Sequence, residues 1–327
     1  MFGLDVWQSV LLIFLALLCA SYLCQVTLDR LTVVPVRAGT EGFTDAGGAA
    51  AAAAASRYEW LTGDEIYDDF YAATHHKIFM QEKLVQAEAA IALHDWVKSV
   101  DKPHMSILDA GCGTGIATTY LAKQDVGKAV GIDKSAAMIR YAKNSILPGT
   151  TLTPAQKDAV EFRVADVYGP SAAGEAEFTH SMLLYFSVYA FRDLDALFRN
   201  LYFWTQPGGG LAVEVVDRDK FVPIPDVANP WVGVNPQAHT NERMTRASAI
   251  FDKFEYTSDF DLEDDRAEFR ETFAFKDGTF RRQKHVLYMP KIADIVKAAQ
   301  SAGWKYTKFT ELKMIGFDYG YMLFFTR

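Results

Sequence analysis

The stretch S-I-L-D-A-G-C-G-T-G, from Ser106 to Gly115, decides the fold. A short apolar run leads to an acidic residue, Asp109, and a glycine-rich turn follows it. Residues from about Ile116 to Lys123 then have the pattern of a helix. Glycines at such a turn permit positive φ and let a ligand approach the backbone closely, and the helix start aims free amides at that ligand. The stretch therefore predicts a strand, a ligand-binding turn and a helix of an α/β sheet.

The spacing of the glycines distinguishes two kinds of nucleotide site. Dinucleotide-binding turns read G-x-G-x-x-G, whereas Gly111, Gly113 and Gly115 are spaced G-x-G-x-G and follow an acid. A second acid, Asp133, ends the next apolar run, where a carboxylate can accept both hydroxyls of a ribose. Ser135 follows it and is predicted to cap the helix A-A-M-I-R-Y-A-K. A third acid, Asp166, ends the run V-E-F-R-V-A-D, and at the end of that strand it would be suitably placed to bind an adenine amino group. The glycine spacing thus disfavours a nicotinamide dinucleotide site. For Asp133 and Asp166, the alternative to ligand binding is ordinary solvation of acids at strand ends.

These motifs together resemble the class I, Rossmann-like methyltransferases that use S-adenosylmethionine. The resemblance rests on I-L-D-A-G-C-G-T-G, G-I-D-K-S-A-A-M-I, Asp166 and P-G-G-G-L-A-V-E, and it covers roughly residues 58 to 327. It implies a seven-stranded, mostly parallel α/β sheet whose last strand is antiparallel. It also implies S-adenosyl-L-methionine as the cofactor and S-adenosyl-L-homocysteine as the product.

The resemblance also implies a set of cofactor-binding residues. They lie in the matched motifs or in the lid described below: Asp109, Gly111, Cys112, Gly113, Gly115, Asp133, Lys134, Met138, Asp166, Val167, Leu183 and Tyr67. The glycines are expected to line the methionine and ribose. Asp133 is expected to hold the ribose, and Met138 to pack on the adenine. Asp166 with Val167 is expected to meet the adenine edge, and Leu183 to lie near the sulfonium.

The segment E-W-L-T-G-D-E-I-Y-D-D-F-Y-A-A-T-H-H predicts an N-terminal helical lid. Thr62 with Glu65 three residues later has the pattern of a capping box. Tyr67 and Tyr71 would then share one helix face, with His75 on the next turn. We expect the tyrosines to close over the methionine carboxylate and the transferring methyl group. The alternative is an amphipathic helix that packs on the sheet.

Three residues are the predicted catalytic residues, namely Tyr71, Tyr185 and His75. The fourth strand is predicted over Phe178 to Tyr185, and the resemblance places Tyr185 near the sulfonium. His75, His180 and His285 are candidates for a general base if the acceptor must lose a proton. Methyl transfer is an in-line displacement in which positioning supplies much of the effect, so a base is not obligatory.

The composition narrows the class of partner. The 327-residue chain is half hydrophobic and 23% charged, which excludes a disordered or fibrous protein. It carries 33 Lys and Arg against 41 Asp and Glu, a formal net charge of −8, so nucleic acid is not an expected partner. Three cysteines do not make a disulfide framework. Adjacent His75 and His76 would point in different directions on a helix, so we expect no metal.

The chain after the fifth strand departs from the alternation of strands and helices. Residues 218 to 242 carry four prolines, and three later segments alternate as antiparallel strands do. Asp277 and Gly278 provide the turn between the last two. We therefore predict a β-rich cap insertion over residues 218–290. The basic run 281–285 is expected to pair with the acidic run 259–265 on a neighbouring strand, and anchoring of an acidic substrate is the alternative.

The N-terminus contains a charge-free run, residues 7–26, that is long enough to span a membrane as a helix. We predict a transmembrane anchor over residues 1–29, a low-complexity Ala/Gly linker over 30–56, and a methyltransferase domain over 57–327 with its helical lid at 57–100. Basic residues follow the run and none precedes it, which favours a single-pass protein with a cytoplasmic catalytic domain. A cleaved signal peptide and a buried core helix are the alternatives.

The sequence as a whole predicts a methyltransferase that is tethered to a membrane and acts on a small-molecule or lipid-like acceptor. Members that methylate nucleic-acid bases or protein amides carry an Asn/Asp-Pro-Pro-aromatic motif after the fourth strand. This chain has M-L-L-Y-F-S-V-Y there, at residues 182–189. The alternative is a non-catalytic cofactor-binding or scaffold module of the same fold, which would be expected to lack a glycine or acid of the first motif.

Overall fold

The computed structural model describes residues 60–79, 82–223 and 243–327, together with the backbone of residues 36 and 37. The predicted anchor over residues 1–29 lies outside these ranges. So do nearly all of the linker over 30–56 and residues 224–242 of the proline-rich segment. No helix within the described ranges is long and apolar enough to cross a membrane.

The strands of the described ranges are numbered in chain order: β1 (Val36–Arg37), β2 (Leu61–Thr62), β3 (Ser106–Ala110), β4 (Lys128–Asp133), β5 (Val160–Val164), β6 (Phe178–Leu183), β7 (Thr205–Val216), β8 (Arg246–Ile250), β9 (Phe254–Glu263), β10 (Arg266–Phe275), β11 (Phe280–Tyr288), β12 (Lys305–Glu311) and β13 (Gly320–Thr326). The α-helices are α1 (Asp69–Ile78), α2 (Glu82–Trp96), α3 (Ile116–Lys123), α4 (Ala136–Tyr141), α5 (Leu147–Gly149), α6 (Pro154–Asp158), α7 (Leu194–Trp204) and α8 (Ile292–Ser301).

A seven-stranded sheet forms the centre of the fold, in the order β12-β13-β7-β6-β3-β4-β5. β13 is antiparallel to both of its neighbours, and the pairs on the β3 side of β7 are all parallel. The chain runs outward from β3 through β4 to β5 and then returns to β6 on the other side. This reversal opens a crevice at the carboxyl ends of β3 and β6, where open α/β sheets bind their ligands. The predicted seven strands and the antiparallel last strand are confirmed.

Both faces of the central sheet are buried. Consecutive residues of a strand point to opposite faces, so Leu108 and Ile107 of β3 belong to different hydrophobic clusters. The first cluster includes Trp204 of α7 and Trp304, and the second includes Trp96 of α2. Coverage on both sides explains why the strands read as continuous apolar runs rather than alternating ones.

A second sheet covers the crevice side and has the order β1-β8-β9-β10-β11-β2. β8 to β11 form an antiparallel meander from the predicted insertion, and β2 joins its edge parallel to β11. The predicted Asp-Gly turn is confirmed, since Gly278 has a φ of +85° between β10 and β11. Phe260 and Phe269 of this sheet belong to the same core cluster as Leu108. The insertion therefore packs onto the central domain.

The expected pairing between the basic and acidic runs of the insertion is wrong, because β10 separates β9 from β11. Arg270, on β10, donates to Asp259 at 3.0 Å. Buried Arg281 donates instead to Asp68, just before α1, at 2.6 Å. It also donates to the carbonyl oxygen of Ile66 at 2.9 Å. This ion pair ties the N-terminal segment to the second sheet.

The predicted capping box at Thr62 is also wrong. Thr62 lies in β2 and caps no helix with its side chain, and Gly63–Ile66 forms a short 3-10 turn. α1 begins only at Asp69, where Asp68 caps it by accepting from the Tyr71 N–H at 3.0 Å. Pairing of β2 with β11 overrides the local helical pattern, and a sequence pattern of this kind does not report such long-range pairing.

Two strand predictions run two residues too far. β5 ends at Val164 rather than Asp166, and β6 ends at Leu183 rather than Tyr185. Asp166 accepts from the N–H of Tyr168 at 2.9 Å, an Asx turn that takes the chain away from β5. Tyr185 has a φ of +48°, which no strand residue adopts.

We predict that Asp68→Asn destabilises the protein by about 3 kcal/mol, the low end for breaking a buried ion pair, because one third of the Asp68 side chain is exposed. Asparagine keeps the helix cap but leaves the buried Arg281 guanidinium without an anion. Urea denaturation measures the change. The matched control is Asp69→Asn, whose pair with Arg140 is more than half exposed and should be worth less than about 1 kcal/mol. Equal small effects of the two variants would contradict the ion-pair account.

Candidate functional site

The glycine-rich turn lies between β3 and α3 at the open end of the sheet. Gly111, Gly113 and Gly115 all have positive φ, at +72°, +53° and +79°. Gly115 is further fixed by packing, since an added Cβ would lie 2.4 Å from the ring of Phe162. At Gly113 an added Cβ would meet no atom within 4 Å. The turn therefore presents an open face at Gly113 and a packed one at Gly115.

Asp109 and Cys112 support the turn from inside the protein. Asp109 is buried and accepts a hydrogen bond from Thr118 Oγ1 at 2.7 Å. Desolvation raises the pKa of Asp109 to about 6, partly offset by this bond. Cys112 Sγ packs closely against Gly131 of β4, where an added Cβ would lie only 2.8 Å from the sulfur. Desolvation raises the pKa of the Cys112 thiol well above its ordinary value. Their predicted contact with a cofactor stays a prediction.

Asp133 ends β4 directly beside the turn. Its Oδ2 accepts from the Gly113 N–H at 3.0 Å, and its Oδ1 accepts from the Ser135 N–H at 2.8 Å. Desolvation raises its pKa above the ordinary value, although both bonds oppose the shift. Each carboxylate oxygen has a second lone pair. The oriented carboxylate can therefore still accept the hydroxyl donors of a ribose.

Two buried hydroxyls beside the turn, Thr114 Oγ1 and Ser187 Oγ, have no hydrogen-bond partner in the described part of the chain. Ser187 Cβ lies 3.5 Å from the position of a Cβ on Gly111. Buried hydroxyls normally have partners. Together with the open face at Gly113, these atoms fit a ligand that brings its own polar groups, as the amino-acid part of S-adenosylmethionine does.

The loop after Asp133 is joined to the N-terminal segment. Exposed Lys134 forms an ion pair with Asp64. Ser135 Oγ donates to the carbonyl oxygen of Tyr67 at 2.6 Å and caps α4 by accepting from the Met138 N–H at 3.1 Å. The predicted Ser135 cap is confirmed. The contacts bring the predicted lid next to the predicted ribose-binding acid.

The remaining predicted cofactor residues occupy different surroundings. Met138 is buried in a cluster with Ile66 and other residues of the lid. Val167 and Leu183 are buried in the main core, so only their backbone groups reach the open end of the sheet. Asp166 is exposed. Their assigned contacts with adenine and sulfonium stay predictions.

The structure brings the three predicted catalytic residues together. The Tyr71 and His75 rings lie 4.9 Å apart, and the His75 and Tyr185 rings lie 6.5 Å apart. The Tyr67 ring is 5.8 Å from that of Tyr71. Desolvation lowers the pKa of His75 to about 3, so its imidazole is neutral at physiological pH. His180, by contrast, lies within β6 and stacks on Trp96 of α2 at 4.5 Å.

Glu271 is a site residue that the sequence reasoning missed. Its carboxylate is fully buried at the centre of β10 and accepts from Gln283 Nε2 at 2.6 Å, from Tyr256 OH at 2.8 Å and from Tyr71 OH at 3.2 Å. His285 Nε2 lies 2.7 Å from Glu271 Oε2. Burial alone would raise the pKa of Glu271, but these partners, His285 foremost, lower it below the ordinary value.

A sequence signal for Glu271 does exist. Residues alternate along β10, which places Ala267, Phe269, Glu271 and Phe273 on the buried face. Glu271 is therefore an acid at a position where the pattern calls for an apolar residue. A buried acid requires a hydrogen-bonding or charged partner. The partner, His285, lies on the adjacent strand and cannot be identified until the strand register is known.

The contact with Glu271 selects the tautomer that His285 adopts when its imidazole is neutral. With Glu271 ionised, the proton lies on Nε2 and donates to the carboxylate, as it does in other carboxylate–histidine pairs. Nδ1 then carries the lone pair. This nitrogen lies 3.5 Å from the hydroxyl of Tyr67. The pair thus presents a basic nitrogen toward the lid.

The turn after β6 is strained. Tyr185 and Phe186 have φ values of +48° and +60°, a conformation that costs about 1–2 kcal/mol for each non-glycine residue. The Tyr185 N–H donates to Glu88 Oε2 at 3.1 Å, and the Phe186 N–H donates to Glu214 Oε2 at 2.6 Å. A neutral hydrogen bond contributes about 0.5–1.5 kcal/mol, and one to a charged group about 1.5–3 kcal/mol. The two bonds together are therefore similar in size to the conformational cost of the turn.

The comparisons with known proteins agree with this geometry. Residues 107–209 match a protein-family model described as a methyltransferase domain. This segment is a methyltransferase domain. A solved S-adenosylmethionine-dependent methyltransferase from Clostridium acetobutylicum has the same fold, with a TM-score of 0.54 at 16% identity over 76% of this chain and 96% of its own. The chain thus has a Rossmann-like α/β methyltransferase fold with a mixed sheet of seven strands.

The curated relatives match only part of this chain, and the chain covers less than half of each relative. Phosphoethanolamine N-methyltransferase 3 of Arabidopsis thaliana is 32% identical over 130 residues, which is 39% of this chain and 24% of that protein. The ribosomal protein L11 methyltransferase of Shewanella amazonensis is 28% identical over 151 residues, 45% of this chain and 46% of that protein. These two proteins have different acceptors, so the matched segment alone does not determine the acceptor.

We predict that Gly115→Ala destabilises the domain by about 1–3 kcal/mol more than Gly113→Ala. Both changes force alanine into a left-handed conformation, at about 1–2 kcal/mol, but only the Gly115 change overpacks the ring of Phe162. Urea denaturation of the single variants measures the difference. In a Phe162→Ala background most of this difference should disappear, and only the contact with Ala142 Cβ at 3.2 Å remains. An undiminished difference there would contradict the packing explanation.

Proposed function

We propose that the protein transfers a methyl group from S-adenosylmethionine to a small-molecule acceptor. The observation that carries this proposal is the carboxylate of Asp133, fixed by the Gly113 and Ser135 amides beside an open glycine turn. The geometry supports binding of the ribose at Asp133 and of the amino-acid part near Thr114 and Ser187, whose hydroxyls are available. A bound cofactor would supply an electrophilic methyl group on a sulfonium.

The acceptor side of the site consists of the lid and the second sheet. Tyr67, Tyr71, His75 and Tyr185 line it with aromatic rings, and His285 adds a basic nitrogen. Phosphoethanolamine, the acceptor named for the Arabidopsis thaliana relative, is a small amine. A small acceptor with an N–H or O–H group suits such a site, because its proton must leave as the new bond to the methyl carbon forms.

We infer that His285 Nδ1 receives that proton, directly or through the hydroxyl of Tyr67. Glu271 would hold the Nε2–H and stabilise the resulting imidazolium, since a buried carboxylate 2.7 Å away is a strong charged partner. Tyr71 donates to Glu271 and keeps the lid in register with this pair. His75 has a pKa of about 3 and is a weak base, so it suits shaping of the site better than proton transfer.

Calorimetric titration of the whole chain with S-adenosylhomocysteine tests the cofactor site. We expect micromolar binding, which Asp133→Asn weakens at least tenfold because a neutral amide loses the charged hydrogen bonds to the ribose. Ligand at 100 times its dissociation constant should also stabilise the protein by about 2.7 kcal/mol. Asp193→Asn, which caps α7 in either form, is the matched control. Absence of binding by folded protein would favour the scaffold alternative.

A screen with labelled methyl groups then tests the acceptor. Phosphoethanolamine, other small amines and small alcohols are the first compounds, and purified ribosomal protein is the contrasting macromolecule. For an acceptor that turns over, we expect His285→Gln to lower kcat by about 10²–10⁴-fold while the dissociation constant of S-adenosylhomocysteine stays unchanged. Exposed His94→Gln is the control. An unchanged kcat in His285→Gln would exclude it as the base.

We also propose, from the sequence alone, that residues 7–26 anchor the protein in a membrane with the catalytic domain on the cytoplasmic side. The absence of charge in this run is what supports the proposal. The whole chain is expected to stay in the membrane pellet after an alkaline carbonate wash, and a variant without residues 1–56 is expected to be released. Recovery of the whole chain in the supernatant would contradict the anchor.

A further inference from the structure

Two glutamates lie buried beside each other behind the turn after β6. Glu88 is on α2, Glu214 is on β7, and both side chains are fully buried. Their hydrogen-bonding partners are the backbone amides of adjacent residues, Tyr185 and Phe186. Adjacent amides bring the two carboxyls close together. Two buried carboxylates without a cation would be strongly unfavourable.

Each carboxyl also has an unused oxygen. Glu88 Oε1 and Glu214 Oε1 are buried and have no hydrogen-bond partner among the described residues. Burial raises the pKa of both groups, and the charge of Glu214 raises that of Glu88 further. Among the described residues, Tyr189 also faces Glu214, and its hydroxyl accepts a hydrogen bond from the backbone N–H of Val216 at 2.8 Å. A proton held between the two free oxygens would satisfy both of them at once.

We propose that Glu88 and Glu214 form a proton-sharing carboxyl pair that positions Tyr185 at the methyl-transfer end of the site. The proton lies between the two Oε1 atoms, and the two Oε2 atoms accept the Tyr185 and Phe186 amides. One negative charge is thus spread over a pair that strengthens both backbone hydrogen bonds. Neither glutamate touches the reacting atoms, so both are positioning residues.

The turn held by the pair contacts both parts of the site. The Tyr185 ring lies 6.5 Å from that of His75 in the lid, and Ser187 packs against Gly111 of the glycine turn. A change in the Tyr185–Phe186 conformation would therefore move the acceptor side and the cofactor side together. The role of this pair in methyl transfer rests on the proposed function. The sharing of a proton between the two glutamates does not depend on that function.

Glutamine provides a matched test. In Glu214→Gln the side-chain oxygen can still accept the Phe186 N–H, and the amide NH₂ can donate to the free oxygen of Glu88. Glu88→Gln can do the same with the roles exchanged. Each single variant thus keeps the hydrogen bonds and the one charge without needing a proton. Alanine at either position removes one backbone acceptor altogether.

The experiment measures the folding equilibrium constant of the ligand-free chain between pH 6.5 and 8. The native pair keeps a proton that unfolded glutamates, with pKa near 4.3, have lost, so stability falls as pH rises. The buried histidines with a lowered pKa, His75, His76 and His180, act in the opposite direction in this window, but equally in every variant. We therefore expect the constant of the native sequence to fall by up to tenfold more per pH unit than that of either single glutamine variant. The window avoids Asp109, whose pKa is raised only to about 6.

Glu177→Gln is the control for the slope, because Glu177 pairs with Arg163 and has a lowered pKa, so it stays ionised throughout this range. Equal slopes in the native protein and both glutamine variants would overturn the shared proton. A flattened slope in either folded glutamine variant supports it, and no cofactor or acceptor is involved. This outcome is therefore independent of the proposed methyl transfer.

Amide hydrogen exchange and cofactor-product affinity test the positioning role. We expect the Tyr185 and Phe186 amides to be protected in the native protein and in the glutamine variants. In Glu214→Ala their protection should fall at least tenfold, and the dissociation constant of S-adenosylhomocysteine should rise at least threefold. Unprotected Tyr185 and Phe186 amides in the native protein, or glutamine variants that behave like Glu214→Ala, would overturn it.

Discussion

The carboxylate of Asp133 is the interaction on which the rest of the site depends. It holds the Gly113 amide with one oxygen and the Ser135 amide with the other, and Ser135 in turn donates to the carbonyl of Tyr67. One half-buried acid therefore joins the glycine turn, the start of α4 and the N-terminal lid. The position of β4 next to β3 in a parallel sheet makes this possible, because both strands end at the same edge.

The second sheet supplies what the central sheet lacks, namely a wall over the open end. Its connection to the lid is both apolar and polar. Phe70 packs against the rings of Phe254 and Phe273 in a buried cluster. Arg281 binds Asp68, and Glu271 accepts a hydrogen bond from Tyr71 and pairs with His285. A buried polar network of this kind contributes less to stability than an apolar contact of equal size, but it fixes one arrangement of the lid. That arrangement is what a methyl transfer requires, since positioning supplies much of its rate.

The parts of this structure that local patterns predict are those in which neighbouring residues decide the outcome. The strand ending at Asp133, the Ser135 cap and the Asp277–Gly278 turn follow from short-range rules and are confirmed. Contacts between distant segments behave differently. Thr62 has a capping pattern, yet it lies in a strand because β11 pairs with it. Glu271 finds His285 only through the register of β10 with β11, which no local pattern encodes.

The decisive measurement is a crystal structure of the protein with S-adenosylhomocysteine bound. We expect both ribose hydroxyls on the Asp133 carboxylate and the amino-acid part over the open face of Gly113. We also expect the thioether sulfur to face the space between Tyr185 and His285. A ligand that leaves Asp133 without a ribose contact, or whose sulfur faces away from the lid and the second sheet, would contradict this arrangement.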